Sequence, residues 1–334
     1  MARVFSGIQP SGELHTGNYL GAVKNWVDLQ EKHECFFCIV DYHAITQDYD
    51  VEQLSSRTFD MAVSLLASGL DPEKCVLFVQ SHVLEHTELA WVFMSVTPLG
   101  ELERMTQFKD KSQRQESVLA GLLNYPVLQA ADVLLYKAGV VPVGEDQVQH
   151  VELMREIARK WNSRYGRGFF PEPDALVGPA RRILGLDGQA KMSKSLGNTI
   201  GILDEEDGIW QLLRPAVTDP ARVRKTDPGD PEVCNLYSLH RQFSPPATVE
   251  EVARKCRSAG WGCLECKRVL ADNITAEFAP IRARAAELKS QPERVRDILE
   301  AGAERARVVA RATMREVRER MGFLQAAAET TSTT

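Results

Sequence analysis

The 334-residue sequence has no run of about 18 apolar residues, so no segment of it is expected to cross a bilayer as a helix. Its start, Met1-Ala2-Arg3-Val4-Phe5, leads straight into a strand-like segment and lacks the apolar core of a secretion signal, so a cytoplasmic location is expected. Neither a Walker-type phosphate loop nor a GxGxxG fingerprint occurs, which removes the two commonest signatures of nucleotide binding. The seven cysteines, in a chain expected to stay in a reducing compartment, argue against structural disulfides. There is no overall excess of positive charge: the net charge is −6, so any contact with nucleic acid must come from a local patch.

Hydrophobic residues at 44% and charged ones at 26% are globular values, and the length accommodates a nucleotide-binding domain with a smaller second one. A local basic patch exists: between Ile281 and Met321 eleven Lys or Arg stand against seven acids in an Ala-rich helical background. This face suits RNA, or a solvated helix with pairs between successive turns.

Val4–Ile8 reads as a first strand, Pro10-Ser11-Gly12 as a turn, and Gly17–Lys32 as a helix. Cys35–Val40, Val51–Ser68 and Cys75–Gln80 continue the pattern as strand, helix and strand. This β-α-β-α-β order predicts an α/β fold: a doubly wound, parallel, Rossmann-type sheet. Residues 86–125 read as a helical insertion, after which the sheet resumes at Val140–Val143 and a helix covers Gln147–Tyr165. A Pro- and Gly-rich connection, 166–178, leads to a loop at Gly185–Gly188. The expected organisation is a catalytic domain over 1–185, a loop over 186–200, a helical C-terminal domain over 201–325 and a disordered tail over 326–334.

In open parallel sheets ligands bind beyond the carboxyl ends of the strands, and phosphates favour helix N-termini. The stretch from Gln9 to Asn18 occupies such a place. Gly12 and Gly17 allow close backbone approach, and His15, Thr16 and Asn18 can donate to phosphate oxygens. In Lys191-Met192-Ser193-Lys194-Ser195 two lysines flank small hydroxyl residues in a Gly-bounded loop. Such a loop can close over a triphosphate and stabilise charge on departing pyrophosphate.

His15-Thr16-Gly17-Asn18 resembles the first signature of class I aminoacyl-tRNA synthetases, and Lys191–Ser195 is identical to the second. Phe5–Gly12, Gly100–Lys109 and Val143–Gln147 extend the resemblance to the bacterial tryptophanyl-tRNA synthetases. That resemblance implies activation of L-tryptophan by ATP with Mg²⁺, transfer to tRNA(Trp), and a homodimer. It places Gln9, Pro10, Ser11, Gly17 and Asn18 at ATP, together with Gly144, Glu145, Asp146 and Ile183 around the adenosine. Lys111, Lys191 and Lys194 would hold the triphosphate, with His15, Asn18, Met192, Ser193 and Ser195 beside it. Asp132 would accept the indole N–H, Tyr125 and Gln147 would orient the amino acid, and Phe5, Gln129, Val141 and Val143 would surround the ring. Indole is a donor-only group, which agrees with a carboxylate in the apolar run Ala130–Leu134. Two departures stand out: the family often has Thr-Ile-Gly-Asn at 15–18, and a methionine where Gln129 stands. A related nucleotidyltransferase would share both signatures without needing Asp132, a non-catalytic binding paralogue would not need Lys191 and Lys194, and tyrosine specificity is the nearest alternative.

Cys35 and Cys38 form a CxxC within a strand, where residues three apart face opposite sides, so they read as core. Cys234, Cys256, Cys263 and Cys266 are different: a Cys-x21-Cys-x6-Cys-x2-Cys set suits an iron–sulfur cluster or zinc, or is a group of unligated thiols. Structural zinc usually takes two short CxxC-like knuckles, and only Cys263–Cys266 is one. The spacing resembles the subset of the same family with a [4Fe–4S] cluster near the anticodon-binding region. Arg254, Lys255, Arg257, Trp261, Lys267 and Arg268 around it suit phosphate contact and base stacking.

Overall fold

The expected first strand forms as β1, Arg3–Ile8, and pairs in parallel with β2, Glu34–Ile39, on one side and β4, Val140–Val143, on the other. A computed structural model describes residues 2–113, 117–177, 183–193 and 196–324. β3, Cys75–Val79, extends the sheet beyond β2, and β5, Asp174–Val177, extends it beyond β4, giving the all-parallel order β3-β2-β1-β4-β5. β5 lies inside the stretch read as a connection. Its four residues are mostly exposed at a sheet edge and are preceded by Pro171 and Pro173, so neither length nor hydrophobicity marks it.

Each inner strand is apolar on both faces because helices cover both. Val4, Cys35, Phe37 and Leu77 enter one core, and Phe5, Phe36, Cys38 and Val76 the other. Cys35 and Cys38 therefore end in different cores, as strand alternation requires. The first core is filled by α1, residues 16–30, and α2, Val51–Ala67. α1 opens as Thr16–Asn18, loosens to a π turn at Tyr19–Val23 and continues as Lys24–Gln30. The second core takes α3, Glu85–Met94, α4, Ala120–Leu134, and α5, Val148–Tyr165. The insertion read at 86–125 thus ends inside α4, which carries Asp132 back under the sheet.

Beyond residue 200 the chain is helical: α6, Glu206–Leu213; α7, Asn235–Phe243; α8, Pro246–Arg257; α9, Cys263–Lys289; and α10, Pro292–Arg320. α10 returns to the sheet. Its Val295 and Leu299 join the first core and its Ala306, Ala310 and Met314 the second, so the helix wraps the β3 edge and covers strand groups that would otherwise be open. Gly302 makes this approach possible, because a Cβ there would collide with the Leu77 carbonyl. The tail read as disordered at 326–334 lies outside the described residues.

Candidate active site

From β1 the chain crosses to one side of the sheet, through β2 and β3, and from β4 to the other, so the loops leaving β1 and β4 diverge. A crevice must open at that switch point. It is a cleft of about 320 Å³, walled by Phe5–Gln9 at the end of β1, Val141–Gly144 at the end of β4, and Tyr125, Gln129 and Asp132 of α4. Asn18, Lys111 and Gln147 also face it. The sequence-derived residues for the amino acid thus converge on one cavity, of a size that holds a small molecule.

Asp132, 1% exposed, is the polar centre of the cleft floor. His43 Nε2 lies 2.8 Å from its Oδ2, and Gln80 Nε2 and His86 Nδ1 lie 2.6 and 2.7 Å from its Oδ1. Burial pushes the carboxyl up, but the ion pair and hydrogen bond with His43, and those with His86, outweigh it and hold the group below the usual carboxylate range. The site therefore keeps a charged acceptor in an apolar wall. His43, Gln80 and His86 were not singled out from the sequence. Gln80 directly follows β3 at the carboxyl end of the sheet, which is the signal that could have flagged it.

The Tyr125 hydroxyl donates to Gln107 Oε1 at 3.0 Å and lies 2.8 Å from His150 Nε2. Burial raises this phenol to about 12 and lowers His150 to about 4, so both are neutral hydrogen-bonding groups at neutral pH. Lys111 stands 5.8 Å from the Tyr125 ring centroid, its pKa lowered by burial. Gln129 and Gln147 reach each other across the cleft at 3.5 Å.

The first motif folds differently from a set of outward-pointing donors. His15 Nδ1 accepts from the amides of Gly17 and Asn18 at 3.1 and 3.4 Å, in a reciprocal capping box with Asn18. The Thr16 hydroxyl donates to the Ile200 carbonyl at 2.8 Å. His15 and Thr16 therefore shape the turn, and Asn18 is the member of the motif that faces the cleft. The same turn is stitched to the chain just beyond the lysine motif, with Thr16 N donating to Ile200 O at 2.8 Å and Ile202 N to Leu14 O at 3.0 Å. Both signatures are thereby brought to one rim. Lys191 Nζ lies 3.6 Å from Asp146 Oδ1 on the facing β4–α5 turn, where Glu145 also sits. Met192 is buried against the first core, while Lys194 and Ser195 lie outside the described residues.

Cys234, Cys256, Cys263 and Cys266 line a single apolar pocket with Val252, Trp261 and Arg222. Among the described residues, no group of three or more His, Cys, Asp or Glu is arranged to hold a metal ion. Burial, then repulsion between the neighbouring thiols, raises Cys266 to about 12, while Arg222 acts in the opposite direction. The buried Arg222 Nε has no hydrogen-bond partner, leaving donor capacity at the pocket wall.

Residues 1–279 match the model of the family described as tRNA synthetases class I (W and Y). The chain is 57% identical over 330 residues to a tryptophan–tRNA ligase of Deinococcus radiodurans, covering 97% of this chain and all 100% of that one. It is 45% identical over 328 residues to one of Thermotoga maritima, covering 96% and 99%. A crystal structure of tryptophanyl-tRNA synthetase from Campylobacter jejuni, complexed with ADP and tryptophan, superimposes with a TM-score of 0.88 at 40% identity, covering 96% of this chain and 100% of that one.

Proposed function

The chain belongs to the class I tRNA synthetases for tryptophan and tyrosine, within them to the bacterial tryptophan–tRNA ligases, and from that membership we propose how its residues divide the work. The enzyme activates L-tryptophan with ATP to tryptophanyl-adenylate, releasing pyrophosphate, and transfers the aminoacyl group to the 3′-terminal adenosine of tRNA(Trp). The observation that carries the division of roles is the coordination of Asp132. An ionised carboxylate offers about four acceptor positions, and Gln80, His86 and His43 occupy three. One remains for the indole N–H, between the apolar walls of Phe5, Val141 and Val143.

Tyr125 and Gln147 orient the amino acid, with Gln129 beside the ring. Gln9, Pro10, Ser11, Gly17 and Asn18 receive ATP, supplied as its Mg²⁺ complex, and Gly144, Glu145, Asp146 and Ile183 line the adenosine. The tryptophan carboxylate attacks the α-phosphorus in line, and the bond to pyrophosphate breaks. Lys111, Lys191 and Lys194 offset the charge that accumulates on the departing group, so catalysis is positioning plus electrostatics. The 2′-hydroxyl of the terminal adenosine then attacks the mixed anhydride and AMP leaves. Tryptophan-dependent exchange of pyrophosphate into ATP, set against tyrosine, tests the reading; equal rates with tyrosine overturn the role of Asp132.

We assign tRNA and its anticodon to the helical region 201–325, supported by the exposed Arg254 and Arg257 beside the cysteine pocket; Lys267, read from the sequence as a phosphate contact, is instead buried on backbone carbonyls. The cysteine set fits a [4Fe–4S] cluster better than zinc. All four cysteines line one pocket, and only Cys263–Cys266 is a short knuckle of the kind that structural zinc usually takes in pairs. Such a group would rigidify the tRNA-facing loop. A homodimer is supported by two exposed apolar side chains, Leu84 at the N-cap of α3 and Trp91 within it, 67% and 75% exposed. A cytoplasmic location follows from the tRNA substrate.

A further inference from the structure

We infer that the cysteine pocket is the anchor of the Lys191 hairpin, with Asn235 as the positioning residue that holds it; the inference rests on the reading that this hairpin serves ATP. The hairpin is a small rigid unit. Leu184 bridges Lys191, Gly185 N donates to Ala190 O at 2.8 Å, and Met192 N to Ile183 O at 3.2 Å. Asp187 closes its turn by accepting from the amides of Gln189 and Ala190 at 3.0 and 3.1 Å. Asn198 braces the other side, donating to Asp187 Oδ2 at 2.7 Å and accepting from Ser193 N at 2.8 Å. Gly185 permits that bracing, since a Cβ there would collide with the Asn198 side chain.

Two hydrogen bonds hold this unit to the helical region. Asn235 Nδ2 donates to the Gly185 carbonyl at 2.7 Å, and Val217 N donates to the Leu186 carbonyl at 3.0 Å. Leu186, 6% exposed, is buried between them in the same core as Ala216 and Leu236. Each attachment is one residue from the wall of the cysteine pocket: Asn235 follows Cys234, and Val217 precedes Thr218. A third link closes the frame. Lys267, which follows Cys266 and is 6% exposed, donates to the carbonyls of Arg214 and Ala216 at 2.8 and 2.6 Å, satisfying the end of α6. The packing of the pocket walls at Cys234, Cys266 and Thr218 therefore sets both attachments of the hairpin that presents Lys191 to Asp146.

The test is Asn235→Asp, equal in size and placed at the first residue of α7, where a carboxylate favours the helix. A carboxylate cannot donate to the Gly185 carbonyl. Single-turnover adenylation is expected to fall about tenfold. Tryptophan affinity and metal content per chain stay at wild-type values, while the amides of Gly185 and Met192 exchange with deuterium faster. Asn235→Ala, which removes the donor without adding charge, gives the same pattern, and Cys263→Ser accelerates exchange at the same two amides. Unchanged exchange and adenylation in both Asn235 variants overturn the inference, as does an unchanged hairpin in Cys263→Ser. If Lys191→Ala leaves adenylation intact, the ATP reading of the hairpin falls instead, a result separable from the exchange data.

Discussion

His86 Nδ1 stands 2.7 Å from Asp132 Oδ1, and its other ring nitrogen lies 2.8 Å from the Tyr136 hydroxyl. A carboxylate only accepts, so Nδ1–H donates to it, and Nε2 is paired with the phenol. Burial, with Cys38 and Asp132 nearby, holds that phenol well above its ordinary pKa, so it stays protonated. The chain Tyr136–His86–Asp132 therefore fixes both the charge and the orientation of the group that meets the indole.

Removing that carboxylate separates binding of indole from binding of an aromatic ring. Asp132→Ala is expected to narrow the preference for tryptophan over phenylalanine by about 1–3 kcal/mol, because the indole N–H is then buried unpaired. Comparing kcat/KM for the two amino acids in pyrophosphate exchange checks this. Wild-type discrimination in the variant removes Asp132 from the specificity site.

The stability of the cleft should depend on pH through His150. Its ring titrates at about 4 in the fold, chiefly from burial, against about 6.5 when unfolded. Between those values the unfolded chain binds a proton that the folded chain does not, so stability is lost as pH falls through that window and is unaffected above it. At about 1.4 kcal/mol per pKa unit the loss reaches at most about 3.5 kcal/mol. Urea unfolding at pH 7 and pH 4.5 should show a smaller difference for His150→Gln than for wild type. Equal differences show that His150 is not the group responsible.

The parallel sheet was legible because β1 to β3 are short apolar runs separated by amphipathic helices, and the cleft followed because the sheet type fixes where ligands sit. β5 was not legible, since an exposed four-residue edge strand has no hydrophobic signature. Asp132 could be read from its apolar neighbours, but its three donors come from positions 43, 80 and 86, and only the packing of α4 under the sheet unites them. His15 was legible as a motif residue and not as a cap, because a ring nitrogen facing inward to accept amide N–H groups has the same sequence as one facing out to phosphate. The return of α10 to the β3 edge depended on Gly302, a single missing Cβ that local periodicity does not reveal.

The two lysines of the second motif should act on the transition state rather than on amino-acid binding. Lys194→Ala is expected to lower single-turnover adenylation by about 10²-fold or more, with tryptophan affinity unchanged, as when one preorganised charge is removed. Rapid quench measures the first quantity and equilibrium titration the second. A wild-type rate takes Lys194 out of the mechanism.

The cysteine pocket yields the prediction with the plainest readout. Four thiols share one apolar enclosure, and burial pushes Cys266 to about 12 and Cys256 upward as well, so neither pays readily for ionisation without a cation. Arg222 partly compensates: it lines the enclosure, opposes the rise at both thiols, and leaves its buried Nε unpartnered. A cationic iron–sulfur core held by all four thiolates would supply the remaining positive charge. Anaerobically purified protein is therefore expected to be brown, with broad absorbance near about 400 nm and about four irons and four sulfides per chain. Cys263→Ser should lose both colour and iron while keeping tryptophan affinity, because the amino-acid cleft is built from other residues. Colourless anaerobic protein holding one zinc, or no metal, overturns the cluster and leaves the four cysteines as zinc ligands or as packed thiols.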